Sequence, residues 1–197
     1  FNLSVVSIND APSLSALSNF TIDEDGSYEV QLSASDIEGD ALVFVASVDD
    51  NASASVNDTI LSIVPDSDFN GNIEVSVTVS DGDLSDFNTF ILTVNPVNDN
   101  PILDAISDQS IDEDGALTLT LSAFDVDGDD LTFSVTNGDS EIVVDGTTLT
   151  ITPPANYNGS DDVTVTVSDG ELSDSTEFTL TVNPINDAPI IDAISDQ

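Results

Sequence analysis

The sequence contains no lysine, arginine or histidine, and it also lacks cysteine, methionine and tryptophan. Without histidine and lysine, no side chain is available to activate a serine nucleophile or to form a Schiff base. Without cysteine, the chain has no disulfide, no thiolate nucleophile and no cysteine-ligated zinc site. Catalysis by carboxylates alone remains formally open, but no arrangement in the sequence favours it. We therefore predict that the chain is not an enzyme.

The charge is of one sign only. The 197 residues include 39 aspartates and glutamates, which gives a formal net charge of −39 at pH 7. Such a field repels nucleic-acid phosphates and anionic lipids and attracts cations, so we expect no nucleic-acid partner. No apolar run approaches the ~18 residues of a membrane-spanning helix, so no direct membrane insertion is expected. An alternative interpretation is that the acidity only keeps the protein soluble in a salty habitat.

A short polar segment bounded by proline occurs three times, at residues 8–12, 97–101 and 185–189. Its prolines are 89 residues apart at Pro12 and Pro101, and 88 apart at Pro101 and Pro189. Proline fixes φ and Asn-Asp pairs favour turns, so these segments are predicted linkers between repeats. We predict two complete repeats, 11–98 and 99–187. Residues 1–10 are expected to be the last strand of an upstream repeat, and 188–197 the first strand of a downstream one.

Apolar residues alternate with polar ones in both repeats, as at Leu117, Leu119 and Leu121. A period of two predicts half-buried strands, and no stretch has helical periodicity. About seven short strands per repeat predict an all-β fold of tandem seven-stranded Greek-key β-sandwiches with antiparallel sheets. The middle of each repeat, 47–58 and 136–145, differs between the copies and is predicted to be a variable surface loop.

Two pairs of carboxylates stand at positions i and i+2 just before a glycine: Asp36 with Glu38, and Asp125 with Asp127. Like charges this close repel each other unless a cation lies between them. Ca²⁺ accepts six to eight oxygen ligands in flexible geometry, whereas Mg²⁺ demands a rigid octahedron, so Ca²⁺ is the expected ion. The alternative is that acidic turn residues only face water. We favour that alternative for four others: Asp23, Asp25, Asp112 and Asp114.

Four motifs recur at matched places: Ile-Asp-Glu-Asp-Gly at 22–26 and 111–115, Asp-Xaa-Asp/Glu-Gly at 36–39 and 125–128, Ser-Asp-Gly at 80–82 and 168–170, and the Asn-Asp linkers. Together they are similar to the cadherin-like tandem repeats of large bacterial surface adhesins and secreted polysaccharide-degrading proteins. The resemblance covers the whole chain. It implies cadherin-like or Ig-like sandwiches arranged as an elongated rod, with Ca²⁺ bound between successive domains.

The resemblance also implies a ligand set for each junction. The complete junction would use Glu24, Asn98, Asp99, Asn100, Asp125, Asp127 and Asp169. The upstream junction would use Asn9, Asp10, Asp36, Glu38 and Asp81, and the downstream one Glu113, Asn186 and Asp187. Pro96 replaces the acidic residue that begins the family's linker, and the family's Leu-Asp-Arg-Glu element is missing. These departures imply one or two ions per junction rather than three.

These observations predict a Ca²⁺-stiffened structural segment of a large extracellular or cell-surface bacterial protein from a marine or salt-rich habitat. Its expected partners are Ca²⁺ ions and neighbouring repeats of the same chain. One alternative is a Ca²⁺-dependent binding module for polysaccharide or for homotypic partners, and another is a segment of an extracellular fibre. The absence of tryptophan and the strand positions of Tyr28 and Tyr157 argue against a flat sugar-stacking surface.

Overall fold

The computed structural model describes residues 1, 8–138 and 140–189. The chain forms two compact units, residues 1–97 and 98–197. The described residues are all strands, turns and irregular segments, and none of them forms a helix of membrane-spanning length. The terminal strands predicted at 1–10 and 188–197 fall mostly on residues outside the described ranges, so they stay predictions.

The first unit is a sandwich of a four-stranded sheet, ordered β2-β9-β8-β5, and a three-stranded sheet, ordered β3-β7-β6. A short two-stranded ladder, β1-β4, accompanies them. The strands are β1 Ser13–Leu14, β2 Phe20–Asp23, β3 Tyr28–Gln31, β4 Ala34–Ser35, β5 Val43–Ser47, β6 Ala52–Asn57, β7 Ile60–Pro65, β8 Gly71–Ser80 and β9 Ser85–Asn95.

The second unit repeats this topology, with sheets ordered β11-β18-β17-β14 and β12-β16-β15 and the ladder β10-β13. The all-β prediction of two tandem seven-stranded sandwiches is therefore confirmed. The strands are β10 Ile102–Leu103, β11 Gln109–Asp112, β12 Leu117–Thr120, β13 Ala123–Phe124, β14 Thr132–Thr136, β15 Glu141–Asp145, β16 Thr148–Thr152, β17 Gly159–Ser168 and β18 Ser173–Asn183.

The core of each unit lies between its two larger sheets. In the first unit the alternate residues Val75, Val77 and Val79 of β8 are fully buried, as are Leu61 and Ile63 of β7. Strand geometry points every second side chain to the same face, which is how the alternating pattern produces one apolar layer per sheet. Full burial of a side chain of this size contributes about 1.5–3 kcal/mol. The equivalent strands β17 and β16 form the core of the second unit.

One strand pairing in each unit is parallel, which differs from the predicted antiparallel sheets. Strand β2 runs parallel to β9, with Ile22 opposite Val94, and β11 runs parallel to β18 in the same way, with Ile111 opposite Val182. The chain enters each sandwich at one end and leaves it at the other, so the first and last strands of the sheet must point the same way. Glu24 follows β2 and therefore lies at the end where β9 finishes.

The predicted variable loop in the middle of each repeat was wrong, because it contains a strand. In the first unit β6 pairs with β7 along its whole length, with Ala54 opposite Ile63 and Val56 opposite Leu61. The strand alternates small apolar residues with serine, which is a weak sequence signal. Pairing with β7, whose Leu61 and Ile63 are fully buried, supplies packing that the local sequence of β6 does not predict.

Candidate metal centre

In the second unit, a tight turn after strand β13 wraps the backbone around one carboxylate. Asp125 Oδ1 accepts hydrogen bonds from the backbone N–H of Asp127 at 3.0 Å and of Asp129 at 3.3 Å. Gly128 has φ of 79°, a conformation that glycine adopts without steric cost. As a result, Asp125, Asp127 and Asp129 each place a carboxylate oxygen within 4.8 Å of the other two.

The other oxygen of Asp125 is buried without a donor. The residue is 6% exposed, and its Oδ2 has no hydrogen-bond partner among the described residues. A buried acceptor left without a partner costs about 1–3 kcal/mol, and more when it is charged. Since the chain has no lysine, arginine or histidine, no side chain can donate a charged N–H to it. The residues present therefore fit a cation bound at this carboxylate.

The linker residues at the start of the second unit are hydrogen-bonded to the same cluster. The Asn98 side-chain amide donates to Asp169 Oδ2 at 2.8 Å, and the Asp99 backbone N–H donates to Asp127 Oδ2 at 2.9 Å. The other oxygen of Asp169 accepts two backbone N–H bonds, at 2.7 and 2.6 Å, from the turn that follows it. Asn98, Asp99, Asp125, Asp127 and Asp169, all predicted as ligands, are therefore brought together within one unit.

The first unit builds the same arrangement from the equivalent residues. Asn9 donates to Asp81 Oδ2 at 3.0 Å, and the Asp10 backbone N–H donates to Glu38 Oε2 at 3.3 Å. Asp36 Oδ1 accepts two backbone N–H bonds, at 2.9 and 3.1 Å. Its Oδ2 is buried and has no hydrogen-bond partner among the described residues. Among the five predicted ligands of the upstream set, Asn9 therefore contacts Asp81 and Asp10 contacts Glu38, while Asp36 lies two residues before Glu38 in the chain.

The pKa values of the carboxylates in these clusters are shifted in opposite directions. The Asn98 amide, followed by backbone N–H groups, lowers the pKa of Asp169 below its usual value. The backbone N–H of Leu84 is the main cause of the lowered pKa of Asp81. Desolvation, followed by repulsion from the neighbouring carboxylates, raises the pKa of Asp129. The fold therefore holds ionised carboxylates beside one that resists ionisation, a conflict that a bound cation would relieve.

A buried glutamate occupies the opposite end of each unit. Glu24 Oε1 accepts the backbone N–H of Val97 at 2.5 Å, and Glu113 makes the same bond to Ile185 at 2.5 Å. Both glutamates are buried. Glu113 also accepts a hydrogen bond from the Asn158 amide at 3.4 Å. In each unit the glutamate thus secures the last residue before the linker asparagine.

The remaining predicted ligands are less constrained. Asn100 is exposed, as are Asn186 and Asp187, and the Asn186 amide donates to the Asp187 carbonyl at 3.2 Å. That Glu24 binds the same ion as the set from Asn98 to Asp169 stays a prediction. The corresponding assignment of Glu113 to a downstream junction also stays one.

Two kinds of residue were missed from the sequence. Asp129 belongs to the carboxylate cluster, and Asp40 is its equivalent in the first unit. Asp86 and Asp174 accept the backbone N–H of the last residue of strands β1 and β10, Leu14 at 2.9 Å and Leu103 at 3.0 Å. Each pair recurs at matched positions of the two repeats, and that recurrence is the signal that could have found them.

The family description "Bacterial Ig domain" matches residues 9–95 and 98–183, one copy for each unit. The chain belongs to this bacterial Ig domain family. A curated relative is chitinase A of Pseudoalteromonas piscicida, which is 30% identical over 180 residues. The match covers 88% of this chain but only 22% of that enzyme, and it carries no evidence of catalysis in the two bacterial Ig domains.

Solved cadherin structures share the fold of these bacterial Ig domains. Drosophila N-cadherin EC1-4 matches with a TM-score of 0.54 at 17% identity, covering 90% of this chain and 50% of that one. Human protocadherin-24 EC1-2 matches with a TM-score of 0.55 at 14% identity, covering 90% of this chain and 100% of that one. The predicted cadherin-like resemblance is confirmed at the level of the fold. Domains of this class are typical of secreted or surface proteins.

Proposed function

We propose that the chain is a non-catalytic, Ca²⁺-stiffened spacer within a large extracellular bacterial protein. The observation that best supports this is the buried, unpartnered Oδ2 of Asp125 inside a cluster of carboxylates, together with its equivalent on Asp36. A chain without basic residues must obtain positive charge from its surroundings. The same unsatisfied oxygen in two tandem copies argues that binding recurs along the protein.

The residues that would hold the ion are all oxygen donors. In the second repeat they are Asp125, Asp127, Asp129 and Asp169, with Asn98 and Asp99 from the linker. Oxygen-only ligands from several separated turns suit Ca²⁺, which accepts irregular geometry and a high ligand number. Extracellular modules bind Ca²⁺ with dissociation constants of about 10⁻⁴–10⁻³ M, which matches its abundance outside cells.

Stiffening follows from neutralising repulsion next to the linker. Two unit charges 4 Å apart interact by about 4 kcal/mol at an effective dielectric constant near 20. Without a cation, the clustered carboxylates push the turn and the linker apart. A bound Ca²⁺ reverses the sign of that interaction and reduces the freedom of Asn98 and Asp99. We propose that Glu24, which accepts the backbone N–H of Val97 next to Asn98, contributes to the same ion.

Calcium binding also stabilises each repeat by linkage. An ion that binds only the folded state adds about 2.7 kcal/mol when its concentration is 100 times the dissociation constant. The test is calorimetric titration of Ca²⁺ into the chelated protein, paired with thermal unfolding. We expect saturable binding and a melting temperature that rises with Ca²⁺. Absence of both would refute the proposal.

A non-catalytic role is consistent with the relatives. Chitinase A is much longer than this chain, which spans 22% of it. A spacer of this kind would position another domain of the same protein at a distance from the cell surface or from a substrate. An assay of the isolated chain on chitin is expected to give no product.

A further inference from the structure

An open cleft of about 250 Å³ lies at one side of the first repeat. It forms where the edge strands β2 and β3 of the two sheets approach each other. The lining consists of residues 15–20 together with Tyr28, Val30, Gln31, Ser33 and Phe90. The cleft therefore belongs to the first unit alone and is separate from its carboxylate cluster.

Three aromatic rings form one wall. The rings of Phe20 and Tyr28 stack with centroids 4.6 Å apart and an interplanar angle of 29°, and Tyr28 also contacts Phe90 edge-on at 6.2 Å. Phe20 is 49% exposed, so a large part of its ring faces solvent. The stack fixes the ring of Phe20 while leaving about half of its surface open to a ligand.

Neutral polar groups form the rest of the lining. Asn19 Oδ1 accepts the backbone N–H of Ile91 at 2.9 Å, which leaves the amide N–H₂ to act as a donor. The Gln31 amide N–H₂ donates to the Thr59 hydroxyl, so its carbonyl oxygen serves as an acceptor. The serines at positions 15, 18 and 33 add hydroxyl groups that both donate and accept.

No lining residue is acidic, although 39 of the 197 residues are. Comparison with the second repeat shows that the uncharged lining is specific to the first repeat. At the positions of Ser15 and Asn19 it has Asp104 and Asp108. At the positions of the stacked aromatics it has Gln109 and Leu117. All four differences make the first repeat less charged or more aromatic at the same place in the fold.

The side chains of the second repeat make a different surface. Gln109 donates to the backbone carbonyl of Ser107 at 2.8 Å, and Leu117 is only 7% exposed. Asp108 accepts the backbone N–H of Thr179 at 2.8 Å, the same bond that Asn19 makes in the first repeat. Both repeats therefore make this hydrogen bond to the backbone, but only the first has an exposed aromatic ring and an uncharged lining at this place.

We propose that this cleft binds one uncharged hexopyranose ring of a polysaccharide. A sugar ring combines an apolar C–H face, which packs on an open aromatic ring, with hydroxyls that pair with amides and serines. A purely apolar ligand would leave the amides and hydroxyls of the lining without partners. An acidic sugar would be repelled by the net charge of −39. The cleft volume lies just below the ~300–1,000 Å³ of small-molecule sites, so it accommodates a single ring.

This inference goes beyond the spacer role, and its test is independent of it. The ¹⁵N-labelled chain is titrated in saturating Ca²⁺ with cellohexaose, with the hexamer of N-acetylglucosamine, and with an alginate hexamer as the acidic control. We expect saturable shifts at residues 15–20 and 28–33 with at least one neutral hexamer and none with alginate.

Two variants install the residues of the second repeat, Phe20→Gln and Tyr28→Leu, and both should weaken binding by about tenfold or more. A third variant, Asn19→Asp, keeps the aromatic stack and the backbone hydrogen bond. It therefore still tests the proposal if Tyr28→Leu fails to fold. The matched control is Gln109→Ala in the second repeat, which should leave the affinity unchanged. No saturable shift with either neutral hexamer, or full affinity in Phe20→Gln and Asn19→Asp, overturns the proposal.

Discussion

The side chain of Asn98 donates to Asp169 at 2.8 Å, and Asn9 makes the same bond to Asp81 at 3.0 Å one repeat earlier. The partners are 71 and 72 residues apart in sequence. Each bond joins the linker asparagine to the turn that follows a long central strand. The linker is therefore part of the carboxylate cluster of the repeat that follows it.

Asn98→Ala should destabilise the second repeat in chelator at neutral pH. The lowered pKa of Asp169 stabilises the fold above the ordinary pKa of an aspartate, and this stabilisation is lost as the pH falls through the lowered folded value. The difference between wild type and variant should therefore disappear on acidification. Urea unfolding across pH measures it, and Asn186→Ala, in the exposed linker that follows, is the control. A difference that persists in acid would contradict this account.

Asp129→Asn should have opposite effects with and without Ca²⁺. The raised pKa of Asp129 means that its ionised form opposes folding, so its contribution favours the fold in acid and is lost as the pH rises through the folded pKa. In chelator at neutral pH, the variant should melt at a higher temperature than wild type. In Ca²⁺ it should bind the ion more weakly, because a charged ligand has been removed.

Thermal unfolding and calorimetric titration of the same samples test this reversal. Asp40→Asn removes the equivalent carboxylate of the first repeat and should weaken Ca²⁺ binding there. A variant that is less stable than wild type in both conditions would show that Asp129 serves the fold rather than the ion.

Asp125→Asn should lower the Ca²⁺ affinity of the second repeat by about tenfold or more, because it removes charge from the most buried carboxylate of the cluster. Asp145→Asn, an exposed strand residue, removes the same charge elsewhere and should leave the affinity unchanged. Calorimetry measures both. An equal loss in the two variants would mean that only net charge, and not the site, attracts Ca²⁺.

Truncating a buried core side chain should lower the unfolding free energy by a similar amount in the two repeats. Ile63→Ala and Ile151→Ala truncate equivalent, fully buried side chains, and each should cost about 2–5 kcal/mol of unfolding free energy. Ile60→Ala, which alters an exposed position of the same strand as Ile63, is the control and should cost far less. Urea unfolding provides the values. A small loss at Ile63 would contradict the assignment of the core.

Most of what could be predicted from the sequence came from repeated patterns, both within strands and between the two repeats. Strict alternation at Val75, Val77 and Val79 predicted a half-buried strand, because long β-branched runs are a strong signal. The resemblance to cadherin-like repeats implied the ligand sets, in which Asn9, Asp36 and Asp81 recur as Asn98, Asp125 and Asp169. Comparing the two copies within one chain thus gave information that usually comes from comparing related proteins.

What the sequence did not predict depends on pairing partners that are distant in the chain. Strand β6 owes its structure to β7, and the parallel direction of β2 is set by the exit of β9 at the far end of the sandwich. The exposure of Phe20 arises where two sheet edges meet, which no local pattern reports. Asp129 was missed, although it recurs as Asp40, because acidic residues next to a turn glycine are also common in ordinary turns.

The most direct test of the spacer role is small-angle X-ray scattering of the chain in millimolar Ca²⁺ and in excess chelator, with Asp125→Asn measured beside it. In chelator, the account predicts the scattering of two repeats joined by a flexible linker, and in Ca²⁺ the scattering of a stiffer particle. The variant should need a higher Ca²⁺ concentration than wild type for the same change in scattering. Identical scattering curves with and without Ca²⁺ would contradict it.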